Sequence, residues 1–95
     1  METNLTRNEL KTLFYVGRKL ELVNSLMGPC APQPRIVKAQ RSYGYDLEKA
    51  DGRVSRLDLL AKERITAVSP AGNGYTEVKV YLYETGELAA HYNLL

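Results

Sequence analysis

Leu10, Leu13, Gly17, Leu20, Val23 and Met27 recur every three or four residues, with Phe14 and Val16 on the flanks. That spacing lays an apolar stripe along one side of a helix. It predicts a single amphipathic helix over residues 5–27. Thr6-Arg7-Asn8-Glu9 has the form of a capping box, in which the Thr6 hydroxyl accepts from the Glu9 N–H and Glu9 reaches back. Leu5 before the cap and Leu10 after it make the accompanying hydrophobic staple. Gly28 suits the position just past a helix, and Pro29 stops its continuation.

The pattern then changes. Residues 28–34, with three prolines, predict a stiff extended connector of polyproline-like geometry. Residues 35–95 alternate with period two. Val37, Ala39, Tyr43, Tyr45 and Leu47 share one parity, and Gly44 among them marks a bulge or bend. Asp51-Gly52 and Asn73-Gly74 are hairpin signals, because these pairs tolerate positive φ. Ser55 to Glu63 reads either as strand or as a short helix capped by Ser55. Val78, Val80 and Leu82 alternate with Lys79, Tyr81 and Tyr83, and Gly86 turns the chain into a last strand from Leu88 to Leu94. The predicted class is α+β in one domain, residues 1–95. An N-terminal amphipathic helix precedes a four- to five-stranded antiparallel meander, as an open sheet packed on the helix or a small SH3/Sm-like barrel. In element order such a chain is similar to the small RNA-binding barrels of the Sm type, a likeness of fold alone.

Composition narrows the function classes. Apolar residues are 44% and charged residues 25% of 95, and thirteen Lys and Arg stand against eleven Asp and Glu. A net charge of +2 excludes a polyanion mimic and gives no global signature of a nucleic-acid binder. The N-terminus shows no signal-peptide pattern, no run reaches the length of a membrane span, and Cys30 is a lone cysteine. These features predict a cytoplasmic protein without a membrane partner.

Chemistry-bearing groups are sparse. His91 and Cys30 lack the surroundings of a nucleophilic dyad. No Cys or His pair has metal-ligand spacing, and Asp46, Glu48, Asp51 and Asp58 read as solvated charges flanking one hairpin. Gly72-Asn73-Gly74 has no following helix or Lys to cradle a phosphate. The expectation is a non-enzymatic protein with no cofactor and no metal.

Two contact surfaces remain. On a helix over residues 5–27, Tyr15, Leu22 and Leu26 fall opposite the core stripe beside Arg18. That is an interface-like set for a protein partner, either a second copy or a larger protein. Tyr75, Tyr81 and Tyr83 add a second protein-binding candidate on one strand face. The alternative partner is nucleic acid. Residues 35–64 carry eight basic and five acidic side chains. There Arg35, Lys38 and Arg41 would contact phosphates while Tyr43 and Tyr45 stack on bases.

Overall fold

The capping box forms as the sequence requires. In a computed structural model, which describes residues 2–59, 63–69 and 74–95, α1 (Arg7–Leu13) is capped by Thr6. The Glu9 N–H donates to Thr6 Oγ1 at 3.1 Å and the Thr6 N–H to Glu9 Oε1 at 3.0 Å. Leu5 and Leu10 both enter the core. The helix, however, ends at Leu13, not at residue 27. Gln40 Nε2 donates to the carbonyls of Lys11 and Phe14, both at 3.1 Å, satisfying acceptors left open at the helix end. Gly17 then turns with φ +94°.

The chain is mostly β. Strands β1 (Glu2–Asn4), β2 (Lys19–Ser25), β3 (Gly28–Arg41), β4 (Gly44–Lys49), β5 (Val54–Asp58), β6 (Arg64–Val68), β7 (Glu77–Tyr81) and β8 (Leu88–Leu94) form one antiparallel sheet. Their order is β1-β6-β7-β8-β2-β3-β4-β5. The expected α+β class is therefore corrected. The predicted long helix is replaced by α1, a turn and β2, and the predicted connector is the first half of β3. The sheet has eight strands, with β1 and β5 at its edges, rather than a four- to five-stranded meander or SH3/Sm-like barrel.

The physical reason lies in residues 19–25. Leu20 and Leu22 alternate with Lys19 and Glu21, so the segment satisfies a strand period as well as a helical one. Pairing decides: β2 bonds β3 through Leu20↔Arg35 and β8 through Leu20↔Leu94, filling both sides of its backbone. A helix here would forgo both ladders and carry Gly17 in its interior at a cost of about 1 kcal/mol.

Inner side chains of β2 to β8 meet in one cluster with Leu10 and Phe14, so the sheet curls around a single core. The Phe14 ring stands edge-on to Tyr45 at 5.2 Å and to Tyr92 at 5.7 Å between centroids. It thereby bridges β4 and β8, which β2 and β3 separate in the sheet. The Asp51-Gly52 turn joins β4 to β5, with Gly52 at φ +85°. Residues 54–58 are strand, so the short-helix alternative fails there; residues 60–62 and the Asn73 part of the second hairpin signal lie outside the described residues.

Residues 35–48 make two strands rather than one. Gly44 marks the bend, with Arg41 paired to it across a two-residue turn. Its φ is +145°, and a Cβ there would stand 2.0 Å from the Leu57 carbonyl oxygen. Only glycine lets β5 approach this closely.

Candidate functional site

The β2–β3 hairpin carries the most unusual surface. From Leu22 to Pro34 there is no charged side chain, in a chain that is 25% charged. Its tip exposes Leu26 at 55% and Met27 at 98%. Pairing to β4 begins only at Arg35↔Lys49, so Gly28 to Pro34 is bonded to β2 alone. Pro29, Pro32 and Pro34 have no N–H to offer along this open stretch, which discourages an added strand. Side chains, not backbone, are what this open edge presents. Cys30 is half-buried, and its Sγ donates weakly to the Leu22 carbonyl at 3.6 Å.

A second feature is a cleft of about 210 Å³ where α1 faces the β3–β4 turn. Arg7 and Lys11 line it from the helix and Arg41 from the end of β3, with Ser42, Tyr43 and Tyr45 between. Among the described residues no Asp or Glu lines it. Arg7 is anchored from behind: it donates to the Leu59 carbonyl at 3.2 Å and lies 3.5 Å from Glu63 Oε2. Arg41 gives its Nε to Asp46 Oδ2 at 2.9 Å.

Beside the cleft, the outer face of β3, β4 and β5 is a lattice of opposite charges. Lys38 meets Glu48 at 3.8 Å, Arg56 meets Asp58 at 3.2 Å, and Arg53 meets Asp51 at 3.6 Å. The Arg56 guanidinium covers one face of the Tyr43 ring at 3.9 Å. Asp46 accepts from both the Tyr43 hydroxyl and Arg41. The Tyr43 hydrogen bond first, then that of Arg41, holds the Asp46 carboxyl below the usual carboxylate range. The same bond to Asp46 raises the Tyr43 phenol.

The sequence-predicted residues are dispersed. Of the helix set, Tyr15 and Arg18 follow α1, with Arg18 over the Tyr15 ring at 5.3 Å. Leu22 packs against the core from β2, and only Leu26 reaches the hairpin tip. The stripe they were expected to share vanishes with the helix. Of the tyrosines, Tyr75 packs against the core. Tyr81 lies under Arg64 at 4.3 Å and donates to Glu2 Oε1 at 3.3 Å. Tyr83 is exposed beyond the end of β7.

The basic set divides too. Arg41, Tyr43 and Tyr45 come together at the cleft, but Tyr45 is buried in the core and offers no face to a base. Arg35 is buried, donating to the Pro34 carbonyl and Gln33 Oε1. Lys38 lies apart with Glu48.

His91 Nε2 contacts Glu77 Oε1 at 2.5 Å, so His91 and Cys30 have different partners. Among the described residues no three His, Cys, Asp or Glu gather as a metal site, and no helix is long and apolar enough to cross a membrane. Compared with family models, curated proteins and solved structures, the chain matches none.

Sequence reasoning passed over Met27, which helical spacing assigns to the core, and did not single out Arg7 or Lys11 as site residues. The charge-free run from Leu22 to Pro34 was a usable signal for the first. Nothing local brings Arg7 and Lys11 to Arg41, because that meeting depends on sheet curvature.

Proposed function

We propose that this protein is a small non-catalytic binding module that docks the tip of its β2–β3 hairpin into an apolar pocket of a larger partner protein. The observation that carries this reading is the pair Leu26 and Met27, exposed at the β2–β3 turn within a charge-free run from Leu22 to Pro34. Charge depletion around apolar anchors marks the centre of protein interfaces. Burying each side chain is worth about 1.5–3 kcal/mol, which isolated exposure leaves unused.

The two clefts described on this chain both carry charged side chains, Arg7, Lys11 and Arg41 in one and Arg35, Lys49 and Asp51 in the other. Neither of these two is an apolar socket for the tip of a second copy. The basic set supports a nucleic-acid strand less well, since it is dispersed: Arg35 and Tyr45 are buried and Lys38 lies apart with Glu48. The lone thiol fits a cytoplasmic setting.

Site-specific photo-crosslinking tests the reading. A benzophenone amino acid replaces Met27 in one variant and Lys79, on the outer face of β7, in a control. A discrete adduct from position 27 that disappears with Leu26→Asp supports docking at the tip. Identical adducts from both positions, or an adduct of the mass of two copies of this chain, overturn it. Unchanged thermal unfolding of Leu26→Asp separates lost docking from lost fold.

A further inference from the structure

We infer that the cleft between α1 and the β3–β4 turn is a binding site for a phosphate group, as inorganic phosphate or a small phosphate monoester. The hairpin tip plays no part in it.

Three cationic residues, Arg7, Lys11 and Arg41, border one space with Ser42 beside them, and among the described residues no Asp or Glu lines that space. Asp46 and Glu63, which pair with Arg41 and Arg7, lie outside the lining. Asp46 takes Arg41 through its Nε, and Glu63 with the Leu59 carbonyl anchors Arg7. Those contacts fix both guanidinium groups before any ligand arrives, so less side-chain entropy is lost on binding. Lys11 is the mobile cation, a compact charge on a flexible stem at the exposed rim.

The anion is specified by number and size. One guanidinium already satisfies both oxygens of a carboxylate. A phosphate monoester presents three terminal oxygens as acceptors for the donors of Arg7, Lys11 and Arg41, and Glu63 and Asp46 offset two of those three positive charges. The cleft, at about 210 Å³, is smaller than the roughly 300–1,000 Å³ typical of sites that enclose a drug-sized molecule. It suits a phosphate group with a small substituent projecting outward. A nucleic-acid strand needs cations that continue along its backbone. Here the neighbouring Lys38, Arg53 and Arg56 do not line the cleft.

Backbone amide NMR of the isotope-labelled chain tests the assignment. The probes are inorganic phosphate, phenyl phosphate, acetate and a single-stranded oligothymidylate, at matched ionic strength. The expected result is saturable shifts of the Ser42, Tyr43 and Gly44 amides with phosphate and phenyl phosphate, and binding of acetate weaker by about tenfold or more. Lys11→Ala should weaken phosphate binding by about tenfold while leaving amide positions in β6–β8 unchanged, which shows that the fold persists. Arg41→Lys should weaken it too, because an ammonium cannot reproduce the fork. Unsaturable shifts, equal binding of acetate, or a response to the oligonucleotide alone would each overturn the proposal.

Discussion

Gly44 lies against the backbone of Leu57 so closely that a Cβ on Gly44 would stand 2.0 Å from the Leu57 carbonyl oxygen. The obstacle is main chain of β5, which cannot rotate away, and φ at Gly44 is +145°. Gly44→Ala is therefore expected to destabilise the fold by about 3 kcal/mol or more, opening the β4–β5 ladder. Gly52→Ala is the matched control. Its φ is +85° with open space around the added carbon, and it should cost only about 1 kcal/mol. Urea denaturation of the two variants checks the difference.

Phe14 links walls of the core that are not adjacent in the sheet. It is fully buried and touches Tyr45 and Tyr92 edge-on. Phe14→Ala should lose about 3–5 kcal/mol, and Phe14→Leu less but still more than 1 kcal/mol. Calorimetry or urea titration gives the two values. Near-ultraviolet circular dichroism of Phe14→Leu should also weaken, since both tyrosine rings lose their fixed neighbour.

Local signals in this sequence were legible where local chemistry decides. Thr6 and Glu9 specify a helix start, Asp51-Gly52 specifies a turn, and Val78 and Val80 specify an inward face; each is found. Residues 14–34 were misread because two periods coincide there. Leu20 and Val23 fit a helix while Leu20 and Leu22 fit a strand. The choice is made by β8, some seventy residues further along the chain. Prolines also misled: Pro29, Pro32 and Pro34 imply a connector only if a strand must donate on both sides, and here one side is open. The cleft was half visible. Arg41, Tyr43 and Tyr45 stand close in sequence, whereas Arg7 and Lys11 reach them only through tertiary structure.

The capping box gives a smaller, local effect. Thr6→Ala removes the acceptor for the Glu9 N–H and should cost about 1 kcal/mol. Arg53→Ala, at a turn ion pair whose two side chains are 83% and 58% exposed, should change stability by less than about 0.5 kcal/mol. Chemical denaturation resolves the two, and the reverse order would contradict the assignment of Thr6 as the cap that starts α1.

Alkaline pH should unfold the protein through Tyr92. Burial, opposed weakly by Arg35, pushes its phenol up to about 12, while an unfolded tyrosine titrates near ~10. The folded state thus holds this proton more tightly than the unfolded state. Its contribution is complete below about pH 10 and is lost progressively as pH rises towards 12, when the folded phenol ionises too. A displacement of that size corresponds to about 2–3 kcal/mol. Tyr45, raised by burial and opposed by Arg7, adds in the same direction. Tyr92→Phe keeps the ring against Phe14 and removes the ionising group. Its urea midpoint should therefore fall less steeply than that of the parent chain between pH 9 and pH 12. Deprotonating lysines act on both chains alike, so they cancel in the comparison. Parallel pH dependences would place the alkaline sensitivity outside the core and remove Tyr92 as its source.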